Sequence, residues 1–212
     1  KVHNETIRHY NLGRHVLLIG HRNHPEVEGT MGQVPESSIT LIETEDDAHN
    51  VDVSEPDKLA FATQTTLSLD DTAKILKIIK LRFPNIKGPN SEDICYATTN
   101  RQKAVKSMAK LCDLILVIGA KNSSNSLRLV EVAQANGVKT AHLIDNEDTL
   151  NKFLDEFDSK SMPNVGLTAG ASAPETLVQV LISKLRKKFD VNLIDHEVTK
   201  ENVTFNLPKI LR

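Results

Sequence analysis

Cysteine and aromatic residues are scarce in this 212-residue sequence, which contains two cysteines, two tyrosines and no tryptophan. Two cysteines cannot build a disulfide framework, and such usage is typical of proteins in a reducing compartment. No apolar run approaches the roughly 20 residues of a membrane span, and no signal peptide is visible. The 26 basic and 28 acidic side chains leave a net charge of −2, so we expect no affinity for nucleic acid or an anionic membrane.

A strand–loop–helix pattern occurs twice along the chain, in the same order. Three pairs of matching features lie 99, 102 and 104 residues apart. In chain order they are the apolar runs that end in Gly20 and Gly119, the runs that begin at Leu41 and Leu143, and the loops that end in Ser68 and Ser172. Repetition at nearly one offset indicates two copies of one structural unit.

Strands that alternate with helices predict parallel sheets that are covered by helices on both faces. We therefore expect an α/β fold of tandem similar domains, each a small parallel sheet flanked by helices. The expected boundaries are 1–89 and 90–189 for the two domains and 190–212 for a C-terminal tail. In such sheets, ligands bind at the carboxyl ends of the strands, so the loops after the strands are the places to look for function.

Cys95 precedes a helix start, where Thr99 and Gln102 have the spacing of a capping box. The positive end of a helix favours negative charge, so a thiolate here is a candidate metal ligand or nucleophile. The alternative is a buried cysteine ahead of an ordinary cap, since free cysteine is among the most buried residue types. Lys1 is equivalent to Asn100 in the repeat, so we expect a truncated chain that begins just after a counterpart of Cys95.

Loops rich in hydroxyl groups follow several predicted strands and precede helices. Helix starts offer free N–H groups, so these loops are candidate phosphate or diphosphate sites. The residues concerned are Thr65, Ser123, Ser124, Asn125 and Ser172. Ser172 and Glu175 are spaced as a capping box, with Pro174 in the first turn. Each of these residues could equally be a plain helix cap.

Two ionisable side chains, His24 and Glu26, lie at the mouth of the first unit. Glu26 could relay a proton and His24 could donate a hydrogen bond to a ligand oxygen. Either could instead cap the helix or interact with its dipole. We expect His21 to be structural and Cys112 to pack in the core. The histidines do not have the spacing of a zinc site.

Five stretches of the chain resemble the 4-hydroxy-3-methylbut-2-enyl diphosphate reductase family, which catalyses the last step of the non-mevalonate isoprenoid pathway. They are residues 20–30 (GHRNHPEVEGT), 63–68 (TQTTLS), 93–101 (DICYATTNR), 121–126 (KNSSNS) and 168–174 (TAGASAP). Together they span nearly the whole chain in the family's order, so the resemblance is specific.

The resemblance implies three similar α/β domains around a [4Fe–4S] cluster, with two of those domains in this chain and one cysteine ligand from each domain. It makes Cys95 a cluster ligand and Glu26 the acid that relays a proton. It implies that the diphosphate is held by His24, Thr65, Ser123, Ser124, Asn125 and Ser172, with Thr98 near the substrate. The implied activity is reductive dehydroxylation of the allylic diphosphate to isopentenyl and dimethylallyl diphosphate, with electrons from a ferredoxin or flavodoxin-type protein.

The chain departs from the family because the first domain and two of the three cluster cysteines are absent. One thiolate cannot hold a cluster, so we expect this chain alone to be inactive and free of a cluster. A bacterial cytoplasm is the expected compartment, and a plastid-type organelle would suit the same sequence. The alternative functions are a sugar-phosphate isomerase and a non-enzymatic phosphate-ligand-binding module, because serine-rich loops after parallel strands also bind sugar phosphates.

Overall fold

The structure is a computed structural model that describes residues 1–89 and 94–200. The first half contains α1 (Val2–Asn11), β1 (His15–Ile19), α2 (Pro25–Met31), β2 (Ile39–Ile42), α3 (Glu45–Asn50), β3 (Leu59–Thr63) and α4 (Leu69–Arg82). The second half contains α5 (Tyr96–Met108), β4 (Leu114–Ile118), α6 (Ser124–Ala135), β5 (Thr140–Ile144), α7 (Glu147–Glu156), β6 (Val165–Ala169) and α8 (Glu175–Lys188). Single 3₁₀ turns precede β2 and β3.

Each half forms a three-stranded sheet in which every pairing is parallel. The strand order is β2-β1-β3 in the first sheet and β5-β4-β6 in the second, so the first strand of each half lies at the centre. Helices connect the strands, as parallel pairing requires. The predicted fold of tandem, similar α/β units is therefore confirmed.

The repeat extends to the backbone at the strand ends. Gly20 N donates to Ile42 O at 3.1 Å in the first sheet, and Gly119 N donates to Ile144 O at 3.1 Å in the second. Because the strands are parallel, the residues that follow them lie along one edge of each sheet. The loops with candidate site residues begin at these two edges.

The central strands are buried on both faces, which explains their continuous apolar sequences. Successive side chains of a strand point to opposite faces. Leu17 packs in one cluster with Ile79 of α4, whereas its neighbour Leu18 packs on the other face with Val27 of α2. Full burial of a leucine contributes about 1.5–3 kcal/mol, so these strands hold the strand-end loops on a rigid base.

Two helix starts differ from the sequence prediction. α5 begins at Tyr96 with Cys95 as its N-cap and no side-chain capping bond, so the capping box predicted for Thr99 and Gln102 is wrong. The N-cap lies about one turn earlier than predicted, and the Gln102 side chain bonds to backbone groups of the first half instead.

The cap predicted at Ser172 is also wrong, because α8 begins at Glu175 with Pro174 as its N-cap and no side-chain capping bond. Pro174 has φ −65° and ψ 134°, which is extended rather than helical, so it lies before the first turn. By contrast, the spacing of Ser68 and Asp71 also predicts a cap, and this one is present, since the Ser68 side chain accepts a hydrogen bond from Asp71 N at 3.3 Å.

The spacing of Ile75, Ile78, Ile79 and Leu81 predicts one apolar helix face, but Leu81 of α4 is 73% exposed. Ile75 and Ile79 are buried on that face. Leu81 lies two positions after Ile79, and residues two apart do not share a helix face. The acidic stretch 43–48 predicts a short helix, and the helix begins two residues into it, at Glu45, where Thr44 and Asp47 form a capping box.

Residues 190–200 form neither helix nor strand, and His196 Nε2 lies 2.9 Å from Ser107 Oγ of α5. Part of the predicted junction between the domains, and the end of the predicted tail, lie outside the described residues. The domain boundaries at 1–89, 90–189 and 190–212 therefore stay predictions.

Candidate active site

The strand-end loops of the two sheets meet through His24 and Ser124. His24 is the N-cap of α2, and its Nδ1 accepts a hydrogen bond from Glu26 N at 3.2 Å. With Nδ1 as an acceptor, the neutral ring carries its proton on Nε2. Nε2 lies 2.6 Å from Ser124 Oγ at the start of α6 and donates to it. Two predicted site residues from different halves are thus in direct contact.

Thr65 holds the carboxylate of Glu26 from the neighbouring loop. Its Oγ1 donates to Glu26 Oε2 at 2.9 Å, and its backbone N–H lies 3.3 Å from both carboxylate oxygens. Glu26 is half-buried in the first turn of α2, where the helix dipole favours a carboxylate. The carboxylate is therefore oriented by its surroundings rather than free to rotate in solvent.

Cys95 joins this group through the backbone, because its N–H donates to Thr65 O at 3.2 Å. Its side chain is exposed, so the alternative of a buried cysteine is wrong. Thr98, in the first turn of the same helix, is buried at 2% exposure. One threonine, Thr65, therefore contacts both the candidate acid and the residue that carries the candidate metal-binding thiol.

The serine loop, defined here as residues 121–126, runs into the first turn of α6 and contains one ordinary cap and one unusual amide. Ser123 Oγ accepts from Ser126 N at 3.3 Å and from Ser126 Oγ at 3.0 Å, so the plain capping role is real for Ser123. Asn125 is 6% exposed, and neither Oδ1 nor Nδ2 has a hydrogen-bond partner among the described residues. An unpaired buried polar group costs about 1–3 kcal/mol, which favours a role in binding a polar ligand.

The loop after β6 approaches the start of α6 very closely. A Cβ atom at Gly170 would lie 2.1 Å from Ser126 Oγ and 3.7 Å from Asn125 Nδ2. A Cβ atom at Gly119 would also lie 2.1 Å from Ser126 Oγ. Glycine is therefore required at both strand ends for the loops to approach. Ser172 is exposed two residues beyond Gly170, on the loop that this packing holds against the serine loop.

Arg128 of α6 also joins the two halves, and the sequence analysis did not identify it. Its Nη2 lies 2.6 Å from His21 Nε2, and its Nη1 lies 4.0 Å from Asp71 of α4. Burial, followed by the Arg128 charge, lowers the pKa of His21, so the neutral ring accepts the arginine proton. This agrees with the structural role expected for His21. The available signal was spacing, since Arg128 follows Ser124 by one helical turn.

Two further side chains near the loops have other partners. Lys121 Nζ lies 3.0 Å from Asp145 Oδ2, and hydrogen bonds from Thr149 and Lys121 lower the pKa of Asp145. Cys112 is half-buried beside Gly166 of β6, and burial and the adjacent Asp113 raise the pKa of its thiol. Cys112 therefore packs as a neutral thiol, as the sequence predicted.

The described residues do not fit an iron–sulfur cluster by themselves. Within 1–89 and 94–200, the side chains of His, Cys, Asp and Glu do not form a group of three or more that could hold a metal ion. Cys95 contributes one exposed thiol, whereas clusters of this kind are held by several thiolates. Any cluster would need ligands from outside this part of the chain.

Among the described helices, none has the length and apolar character needed to cross a membrane.

Comparison with known proteins identifies the family. The LytB protein family matches residues 1–186. A relative from Rhodopseudomonas palustris, named 4-hydroxy-3-methylbut-2-enyl diphosphate reductase 2, is 49% identical over 212 residues, which are 100% of this chain and 65% of the relative. A 4-hydroxy-3-methylbut-2-enyl diphosphate reductase from Hyphomonas neptunium is 52% identical over 211 residues, covering 100% of this chain and 66% of the relative.

A solved structure agrees with these relatives. The E-1-hydroxy-2-methyl-but-2-enyl-4-diphosphate reductase from Plasmodium falciparum superposes with a TM-score of 0.89 at 34% identity, over 99% of this chain and 65% of that one. The chain spans about two thirds or less of the length of the curated relatives named here. With this match over most of its length, the chain belongs to the LytB protein family.

Proposed function

We propose that the full-length protein to which this chain belongs is a 4-hydroxy-3-methylbut-2-enyl diphosphate reductase. Its relatives carry that name, and the candidate site offers an acid, a thiol and phosphate-binding donors that such a reaction would use. The observation that carries the proposal is the position of Thr65, which contacts the Glu26 carboxylate and the backbone of Cys95. This contact supports the assignment of Glu26 as a proton donor and Cys95 as a metal ligand, on adjacent loops.

The diphosphate of the substrate requires several N–H and O–H donors. The strand-end loops of the second half offer Ser123, Ser124, Asn125 and Ser172, and those of the first half offer His24 and Thr65. Asn125 supports this role most directly, because its buried amide has two donors and no partner among the described residues. We assign Thr98, buried in the first turn of α5, to the neighbourhood of the substrate carbon chain.

The reaction replaces a C–O bond by a C–H bond, which consumes two electrons and two protons and releases one water molecule. A hydroxyl group is a poor leaving group until it is protonated, so a positioned carboxylic acid lowers the barrier. We assign this proton transfer to Glu26. The second proton adds to either end of the allylic system, which gives isopentenyl or dimethylallyl diphosphate.

In the full-length protein, a [4Fe–4S] cluster with Cys95 as one ligand would supply the electrons. The other ligands would come from residues outside this chain. We propose a ferredoxin or flavodoxin-type protein as the electron donor and a reducing compartment, such as the cytoplasm of a bacterium, as the location.

Turnover of the full-length protein tests this proposal. The purified protein, loaded anaerobically with iron and sulfide, is expected to reduce the allylic diphosphate when an artificial electron donor is present. Cys95→Ser is expected to lose both iron and turnover, while Cys112→Ser keeps both. A sugar-phosphate isomerase or a phosphate-binding module would not depend on Cys95, so turnover of another phosphate ester by Cys95→Ser would overturn the proposal.

A further inference from the structure

Gln102 is a fully buried polar residue on α5. Both of its side-chain hydrogen bonds are made with backbone groups of the other half. Gln102 is 0% exposed. Its Nε2 donates to Leu67 O at 2.7 Å, and its Oε1 accepts from Leu69 N at 3.0 Å. Both bonds have good lengths, so the amide fixes the loop between β3 and α4 on either side of Ser68.

The two bonds satisfy groups that the loop cannot satisfy by itself. Leu69 is the first residue of α4, and the first N–H groups of a helix have no partner within the helix. Leu67 is buried at 5% exposure, so its carbonyl cannot rely on bulk solvent. Loss of the Gln102 amide would leave a buried carbonyl at Leu67 and a half-buried N–H at Leu69 without this partner, which makes local rearrangement of the loop favourable.

The same loop carries the contact between the proposed acid and the proposed thiolate. Thr65 binds Glu26 with its hydroxyl and N–H, and its carbonyl accepts from Cys95 N. Cys95 and Gln102 lie seven residues apart, about two turns of α5. Helix α5 is therefore attached to the loop at two points, Cys95 and Gln102. These two attachments set the rotation of α5 about its axis relative to Glu26.

We propose that Gln102 is a positioning residue that sets the geometry between Cys95 and the Thr65–Glu26 pair. This inference rests on the proposed function, because it assigns Gln102 to the chemical step of the same site. Gln102 does not touch the substrate. It acts through the backbone of the loop between β3 and α4, and the cost of a displacement of about 1 Å at a reacting group is up to about 100-fold in rate.

Other contacts near Gln102 also hold the two halves together, so its positioning role can be distinguished from simple attachment of the halves. Lys106, one turn after Gln102, pairs with Asp70 at 2.6 Å. Arg128 and His24 make further contacts between the halves. These contacts remain when Gln102 is replaced, so the halves stay associated while the loop loses its fixed position.

The main test is Gln102→Met in the full-length, iron-loaded protein. Methionine keeps the length and much of the volume of the side chain but removes both hydrogen bonds. We expect kcat per loaded protein to fall at least about tenfold. KM should change less, within about threefold, because Thr65 is the one proposed diphosphate ligand on the displaced loop and the others lie elsewhere. Gln134→Met, on the exposed face of α6, is the matched control and should keep both constants.

A second variant, Gln102→Glu, tests the positioning role of Gln102 if the methionine variant does not fold. A neutral carboxylic acid has one donor and one acceptor and can replace both bonds of the amide, whereas the ionised form has no donor. The charged groups of Asp70 and Lys106 are the same in both proteins, so kcat is compared with wild type at each pH. The ratio of the variant kcat to the wild-type kcat is expected to rise as the pH is lowered. A ratio of one at every pH would overturn the proposal.

Hydrogen exchange gives a readout that does not need turnover. Exchange at the Leu69 amide should accelerate in Gln102→Met and stay at the wild-type rate in Gln134→Met. Unchanged exchange in Gln102→Met would refute the positioning role even if the enzyme is active. Absence of turnover in the wild-type protein would refute the proposed function alone and leave the exchange result to judge Gln102.

Discussion

Asn125 buries a complete side-chain amide, and neither polar atom has a hydrogen-bond partner among the described residues. Its neighbours in the same loop are different, since Ser123 caps α6 and Ser124 contacts His24. Such an amide lowers the stability of the ligand-free protein and becomes useful only when a ligand supplies the missing partner. A site residue of this kind is expected to have opposite effects on stability and on binding.

The substitution Asn125→Leu tests this expectation in the full-length protein. Leucine has a similar branched shape and removes the unpaired amide. The free energy of unfolding should therefore be unchanged or higher, by up to about 2 kcal/mol. KM for the allylic diphosphate should rise at least about tenfold, the equivalent of one charge-assisted hydrogen bond. Asn122→Leu, at an exposed position of the same loop, is the control and should change neither quantity. A clear loss of stability with unchanged KM would contradict the assignment.

At the scale of the helices and strands, the sequence repeat predicted most of what positions the site. The equivalence of Gly20 with Gly119 holds in the sheets, because both donate to the strand that pairs beside them. Helix starts were less predictable where several polar residues compete for the cap. Ser172 has the right spacing, but Pro174 is extended and delays the helix.

The sequence did not predict the contacts between the two halves. The local sequence predicted Gln102 as part of a helix cap and placed Arg128 one turn after Ser124, but neither pattern predicts a contact with the other half. Their role depends on the placement of α4 against α5 and α6, which is set by tertiary packing. His24 and Ser124 were both predicted, but their contact across 100 positions was not.

The close approach of the loop after β6 to α6 gives an element-level prediction. Gly170→Ala places a methyl group 2.1 Å from Ser126 Oγ and should destabilise the protein by about 1–3 kcal/mol. Ser126→Ala removes that oxygen, and the next atom, Ser126 Cβ, is 3.4 Å away. The double variant should therefore be more stable than the sum of the single effects predicts.

Gly119→Ala is the matched control for this cycle. Its methyl group would also meet Ser126 Cβ at 2.6 Å, which Ser126→Ala does not remove. Rescue is thus expected at Gly170 and not at Gly119, as measured by urea unfolding of the three single variants and the two double variants. Equal rescue at both positions, or at neither, would show that Ser126 Oγ does not determine the packing.

At the scale of the whole molecule, the described residues form a well-connected pair of α/β units without a group of side chains that could hold a metal ion. The halves are joined at His24–Ser124, at Gln102 and at Lys106–Asp70. The described residues offer one exposed thiol and no group of three metal-binding side chains. The matched relatives are longer, since this chain covers 65% and 66% of two of them.

We therefore predict that the 212-residue chain alone folds but does not retain a cluster. After anaerobic treatment with ferrous iron and sulfide, followed by desalting, it should hold less than about one iron per chain, because a single thiolate exchanges its metal readily. The full-length protein treated in parallel should hold about four irons and show turnover. Circular dichroism should show the same helical content in the chain before and after treatment. If the 212-residue chain instead retained a stable cluster and reduced the allylic diphosphate, residues of this chain other than Cys95 would have to complete the ligand set.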